Sequence, residues 1–375
     1  MCYDQPMTRS KAWGLVACGI FSSCATDSTP PEPEALFTPV LTPFADGRFA
    51  GAPEGRCQVP AAAIAADTSG PRRVVGTGTP GSCTGKAFRD AVALGGFIAF
   101  DCGPDSHTIV LDQPAKVRND AHPDIVIDGA GRITLSGGNN SRILYMNTCD
   151  RAQVWTTPHC QDQDHPRLVV RNLTFRDGDA TDSGEGLEGG GGAIWSRGGT
   201  LRIFHCRFFG NVAAGQGPDV GGGAVRAFDQ AGDQPLHVVN STFGAVGDGN
   251  VASNGGALSS IGVNWSIWNS LFVGNRATGS GGNPQQAGTP GGGSGGAIYN
   301  DGNTLTLSVC GSVLERNQVN AFGAAIFFVS NNHDGTLRIR DSRVSRNLGG
   351  SWHVLPGISM HEDTRREIAG SVLEN

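Results

Sequence analysis

A chain of 375 residues is long enough for one large or two ordinary domains, and 57 of those residues are glycine, about twice the usual share. No strict Gly-X-Y period runs through it, which excludes collagen, and a hydrophobic content of 38% argues against disorder. The net charge of -6 predicts an acidic surface and excludes a basic nucleic-acid footprint.

From Met7 the chain reads MTRSKAWGLVACGIFSSCATDSTPPEPEA. Arg9 and Lys11 precede an apolar run from Ala12 to Phe21. The run is too short to span a bilayer and has the length of a secretory signal. It ends in IFSSC, which resembles a bacterial lipoprotein signal with Cys24 as the lipidated residue. An ordinary cleaved signal peptide is the alternative, and both readings of residues 1–24 export the protein. Residues 25–71 are rich in proline and read as a linker that holds the domain off a membrane. The folded part is expected to begin near Arg72 and to run to residue 375.

Residues 72–124 read as an N-terminal cap. In TPGSCTGKAFRDAVALGG, the residues Ala87, Phe88, Ala91, Val92 and Leu94 fall on one helical face. The spacing predicts a short helix over Thr84–Leu94, ended by Gly95 and Gly96. Export permits disulfides. Seven cysteines follow Cys24. Cys83 and Cys102 flank one helix–strand unit, Cys149 and Cys160 flank one loop, and both pairs are expected to be bridged. Cys206 and Cys310 sit inside repeats and read as packed thiols, and Cys57 has no assigned partner.

A repeat occupies residues 125–350. The units LVVRNLTF, LRIFHCRF, LHVVNSTF, WSIWNSLF, LSVCGSVL and LRIRDSRV align without gaps from Leu168 onwards. Their eighth column is Phe175, Phe208, Phe243, Phe272, Leu314 and Val344, spaced by 33, 35, 29, 42 and 30 residues. Three residues later, four of the six carry Asn: Asn211, Asn275, Asn317 and Asn347. Between these units recurs GGA[IVL], in one case relaxed to GAAI. Period-two alternation means strands with one buried face. A period near 30 residues suits one turn of a stacked repeat. The expected fold is all-β: a single-stranded right-handed parallel β-helix with a short N-terminal capping helix, closed by a C-terminal cap at 351–375. Aliphatics would stack on aliphatics, Phe on Phe, and the Asn column would form an amide ladder at one corner.

The alternation of GGA[ILV] with [FLV]xxN resembles the repeat pair of chlamydial polymorphic outer membrane proteins. DIVIDGAGRITLSGGNNSRIL and VVRNLTFRDG resemble openings of pectate-lyase-like right-handed parallel β-helix proteins. The resemblance covers about Val74 to Asn347. It implies that the helix at Thr84–Leu94 caps the stack. It implies no single activity, because this fold carries lyases, hydrolases, adhesins and structural proteins.

Sugar-acting enzymes of this kind need clustered acids on an outer face. One outward column is Val169, Arg202, His237, Ser266, Ser308 and Arg338; the next is Arg171, Phe204, Val239, Trp268, Cys310 and Arg340. Neither contains an acid, and no lyase or polygalacturonase motif is present, so the reading leans away from an enzyme. Acids converging beside Arg171 or Arg340 would reverse it, towards a polysaccharide lyase or glycoside hydrolase. The best acidic cluster, DGDATDSGEGLE, offers Asp177, Asp179, Asp182, Glu185 and Glu188 as oxygen ligands for Ca²⁺; a solvated loop is the plainer reading. The run QDQDH, with Asp162, Asp164 and His165, is a weaker metal candidate. No other cofactor signature stands out. Directly after each GGA[IVL] come Trp195, Arg226, Ser259, Tyr299 and Phe327. If the aliphatics point inward, these form an outward stripe suited to sugar rings or a partner surface, unless loops such as Gly279–Ser294 cover it. Trp268 extends the candidate set on a neighbouring face. The expected function is an exported, lipid-anchored surface protein of the outer membrane or cell surface, binding a polysaccharide or a partner protein.

Overall fold

The computed structural model describes residues 35–183 and 189–374. Short strands dominate, and they assemble into three parallel sheets whose order follows the repeats. The strands that follow GGA[IVL] build an eight-stranded sheet, running from Ala115–Val117 through Ile194–Arg197 and Ile298–Gly302 to Ile358–Ser359. The aligned units build a long sheet, in which Arg167–Arg176 pairs with Thr200–Phe204 and Arg207–Phe209. Two-residue strands such as Val212–Ala213 and Arg276–Ala277 build a six-stranded sheet after the asparagine corner. No described helix is long and apolar enough to cross a membrane.

Register follows the sequence columns. Leu168 pairs with Leu201, Leu236 with Trp265, and Trp265 with Leu307. The alternate residues turn into one buried cluster that runs through the whole stack. Within it, Phe175, Phe208, Phe243 and Phe272 stack face to face, with centroids 4.9, 4.6 and 4.7 Å apart and planes within 5°. Parallel in-register pairing forces this, because identical side chains then sit one strand spacing apart.

The long sheet bends in the middle of each unit. Asn172, His205, Asn240, Asn269 and Asp341 occupy the bend with φ between 47° and 53°, a left-handed conformation that Asn, Asp and His tolerate better than most residues. The next residue is usually serine, and these form a ladder: the N–H groups of Ser241, Ser270 and Ser312 donate to the hydroxyls of Ser270, Ser312 and Ser342 at 3.0–3.1 Å. The asparagine ladder lies one corner further on. Asn211, Asn250, Asn275 and Asn317 each donate Nδ2 to Oδ1 of the next rung, 2.9–3.0 Å away, ending on Asn347. Each Nδ2 also caps a backbone carbonyl of the preceding repeat, as Asn275 caps Phe243. These amides satisfy buried turn groups that would otherwise cost about 1–3 kcal/mol each.

The predicted capping helix spans Gly85–Leu94; the Thr84 side chain caps it by accepting from Ala87 N–H. Phe88, Ala91 and Val92 are buried as expected, while Leu94 faces out. The stack is longer than the repeat boundaries 125–350 suggest. Arg72–Val75 already pairs in parallel with Gly96–Phe100. At the other end, Arg365–Ala369 and Val372–Leu373 continue the long sheet where a C-terminal cap was expected.

The largest departure concerns residues 35–71. Their composition reads as a free tether, yet they run as a strap along the bend of the long sheet. Ala45 N–H donates to Gly131 O, Ala50 N–H to His205 Nε2, Gly51 N–H to Thr242 Oγ1 and Ala52 N–H to Asn269 O. Gly51 is required there, because a Cβ would lie 2.5 Å from Asn269 O. Arg207 grips both oxygens of Asp46 and lies 3.9 Å over the Phe44 ring, which holds the Asp46 carboxyl below its usual range. Burial pushes the His205 pKa down to about 4, so at neutral pH the ring accepts from Ala50 and faces Asn172 Oδ1 with its other nitrogen. Cys57 is bonded to Cys310 across 253 residues. That corrects the reading of Cys310 as a packed thiol and supplies the partner for Cys57. The bridges Cys83–Cys102 and Cys149–Cys160 are present as expected, and Cys206 is a buried free thiol. Three disulfides place the protein in an oxidising compartment.

Candidate functional site

The stripe after GGA[IVL] is a true structural column. Tyr145, Trp195, Arg226, Ser259, Tyr299 and Phe327 pair side by side on the outer face of the eight-stranded sheet. It is not an exposed one. Trp195, Arg226, Tyr299 and Phe327 are between 0% and 3% exposed, which overturns their assignment to direct ligand contact. Loops cover them. Asn283, in the Gly279–Ser294 insertion, donates to the Tyr299 hydroxyl at 3.3 Å and to Asp219 Oδ1 at 3.1 Å. Phe322 and Trp352 close over Phe327. Trp268 is half-buried under the strap, where Val59 and Ala63 pack against Val239, Phe204 and Trp268; it too is packing.

Burial under these loops shapes the chemistry of the layer. Desolvation lowers the Arg226 pKa to about 10, and the guanidinium has no carboxylate bonded to it among the described residues. It donates instead to the Asp219 carbonyl at 2.6 Å and to the Ser259 hydroxyl, and lies 4.7 Å over the Phe228 ring. Tyr299 donates its hydroxyl to Asp301 Oδ2 at 3.0 Å. Burial pushes both groups up, so the phenol stays protonated and the Asp301 carboxyl rises above its usual range. Arg226 and Tyr299 are therefore pins: each fixes a loop from beneath.

The pinned loops form a cleft of about 820 Å³, lined by Thr181, Asp182, Gln216, Asp219, Gln285 and the ring of Pro290, among others. Its central wall, Gly217–Val220, is held rigidly. Asn254 Nδ2 donates to the carbonyls of Gly217, Pro218 and Val220, and the Ser253 hydroxyl to that of Gly217. The described lining holds two carboxylates, two amides and no Lys, Arg or His. Such a wall suits the hydroxyls of a neutral or amino sugar and repels a polyuronate.

The acidic candidates for Ca²⁺ separate. Asp177 accepts from Arg176 at 3.0 Å, Asp179 from the backbone and hydroxyl of Thr181, and Asp182 faces the cleft. Glu185 and Glu188 lie outside the described residues, as does Cys24. Asp162 accepts from Gly232 N–H, and Asp164 is paired with His165. Among the described residues, three metal-ligand atoms converge only at Cys57, Cys310 and Asp341, where the cysteines are bonded to each other. Arg171, one of the positions where an enzyme would gather acids, has one, Asp128, in a 2.7 Å ion pair that also receives Asn172. That pair is structural.

No family model, curated protein or solved structure matches this chain. The likeness to β-helix families therefore rests on its motifs alone, and function has to be argued from the cleft. The cleft residues Gln216, Asp219 and Gln285 carry no motif. The signals that pointed near them were the 42-residue spacing that betrays the insertion and the charged Arg226 in a largely aromatic column.

Proposed function

We propose that this chain is an exported surface protein, anchored through a lipid on Cys24, whose repeats wind as a right-handed parallel β-helix and present a cleft that binds a neutral polysaccharide. The cleft is the observation that carries the reading: about 820 Å³ of open space with a wall held by Asn254 and Arg226 and lined by Asp182, Gln216, Asp219 and Gln285. Pre-set amides and carboxylates bind hydroxyls without a large ordering cost. The parallel register of the aligned columns, the aromatic stack and the asparagine ladder support the helical winding. The disulfides support export.

A glycan array read together with product analysis, with and without Ca²⁺, tests this proposal. Neutral oligosaccharides should bind, and Gln216→Ala combined with Gln285→Ala should weaken them about tenfold or more, the loss expected for two hydrogen bonds, with the melting temperature unchanged. Equal binding by the double variant would reject the cleft. A second reading, an inverting glycoside hydrolase, is favoured by one fact only: Asp182 and Asp219 line the same cleft. New reducing ends, abolished by Asp219→Asn, would establish it; unsaturated products would instead indicate a lyase, for which the described lining supplies no cationic base. The anchor has its own check. Wild-type protein should partition into the detergent phase after export, Cys24→Ser should remain in the aqueous phase, and identical partitioning would remove the lipid from the proposal.

A further inference from the structure

A second recess, of about 340 Å³, opens beside the asparagine ladder and shares no lining residue with the cleft. Val246, Gly247, Gly249 and Gly274 form its floor and wall, and Arg276, Arg316 and Gln318 reach into it. Three observations single it out. The corner position just before four of the five ladder asparagines has a left-handed backbone, Gly249 before Asn250 being the exception, and Gly210 and Gly274 fill it in two repeats at φ 58° and 67°. The last two repeats place arginine there instead, Arg316 and Arg346, both at φ 56°. Unlike Asn or Asp, arginine gains nothing locally from this conformation, and such outliers mark functional positions.

The two arginines are also adjacent. Glu315 pairs with Ser345, and Asn317 bonds to Asn347, so the residues between them sit one strand spacing apart. Like charges so placed repel. Yet Arg276, Arg316 and Arg346 are all exposed, and their guanidinium groups have no ion pair or hydrogen bond among the described residues. Elsewhere the fold supplies partners: Arg167, Arg171, Arg207, Arg338 and Arg343 each hold a carboxylate. Two unpaired guanidinium groups, Arg276 and Arg316, thus line the recess, with Arg346 one strand spacing from Arg316, and this concentration of positive charge has no counter-charge among the described residues.

We infer that this recess binds a sulfate or phosphate ester; that a glycan chain carries the ester rests on the function proposed above. A single carboxylate fills one guanidinium fork, whereas a tetrahedral oxyanion offers three or more acceptors to several arginines at once. The protein's net charge of -6 opposes non-specific uptake of polyanions, so binding there requires a local site.

Titration calorimetry with dextran sulfate, dextran phosphate and plain dextran decides the matter. Wild-type protein should bind one of the two charged polymers, and the choice between them identifies the ester. Arg316→Gly combined with Arg346→Gly restores the residue that two other repeats use. It should weaken that binding at least about tenfold, as expected for lost charged hydrogen bonds, while raising Tm by about 2–4 °C through relief of strain. Arg276→Gln should weaken binding without the gain in Tm. Unchanged affinity in the double glycine variant, equal binding of plain dextran, or a fall in Tm would each overturn the site. The variant with Gln216→Ala and Gln285→Ala should keep its affinity for the charged polymer; a loss there would assign the anion to the cleft and reject the recess.

Discussion

Phe208→Ala should destabilise the fold by about 3–5 kcal/mol, the range for truncating a large aromatic in a packed interior. Phe208 is fully buried, with Phe175 at 4.9 Å on one side and Phe243 at 4.6 Å on the other. Truncation leaves a gap in a stack whose neighbours cannot collapse into it, because each is fixed by its own strand register: Phe208 itself pairs with Phe175 and Phe243. The backbone role of the residue survives, since its carbonyl still accepts from Asn250 Nδ2. The loss is therefore one of packing. Urea denaturation of the wild type and the variant measures it. A change below about 1 kcal/mol would mean that the interior repacks freely, contrary to a register-locked stack.

Removing the bridge between Cys57 and Cys310 should cost nearly as much. In the chain-entropy description a disulfide stabilises more as the loop it closes lengthens, and removing one commonly costs about 2–5 kcal/mol. This one spans 253 residues, so Cys57→Ser with Cys310→Ser belongs at the upper end. The bridge is flanked by two hydrogen bonds that fix the same site, Cys57 N–H to Asn269 Oδ1 and Asn269 Nδ2 to Cys57 O, both 2.9 Å. The rest of the strap is held by the single hydrogen bonds of Ala45, Ala50, Gly51 and Ala52, the Asp46–Arg207 ion pair and the packing of Val59 and Ala63, so the bridge is its one covalent tie. Limited proteolysis should cut the double variant between residues 35 and 71 while the repeats stay intact. A wild-type digestion pattern with wild-type stability would show that the strap is held without its covalent tie.

The repeats were legible because parallel register converts position along the chain into position in space. A column of Phe or Leu in the alignment had to become a column in the interior. Asn250 escaped notice for a definite reason. It stands seven residues after Phe243 where the other rungs stand three after theirs, because the turn Gly244–Gly249 intervenes; its bonds to Asn211 and Asn275 show it to be a full rung. The strap was illegible because its contacts are made by backbone N–H groups and by isolated side chains, Phe44, Asp46, Val59, Ala63 and Cys57, whose partners lie far along the sequence. Neither leaves a periodic trace, whereas proline and glycine leave a strong one that reads as linker. The aromatic stripe was placed on the correct face but with the wrong exposure. Alternation reports which side of a strand a residue takes; it says nothing of what a distant loop folds over that side. The cleft consists of such loops, so Gln216, Asp219 and Gln285 could not be singled out.

The asparagine ladder separates two things that most folds tie together. Successive rungs are 39, 25, 42 and 30 residues apart in sequence, yet their amides meet at 2.9–3.0 Å every time. The chain needs only to return an asparagine to the corner; what it does in between is unconstrained by the ladder. Evolution can thus lengthen, shorten or replace an excursion without touching the register of the stack, as the Gly279–Ser294 insertion already shows. A surface built in this way can be rewritten for a new ligand one loop at a time, while the interior that holds it stays the same.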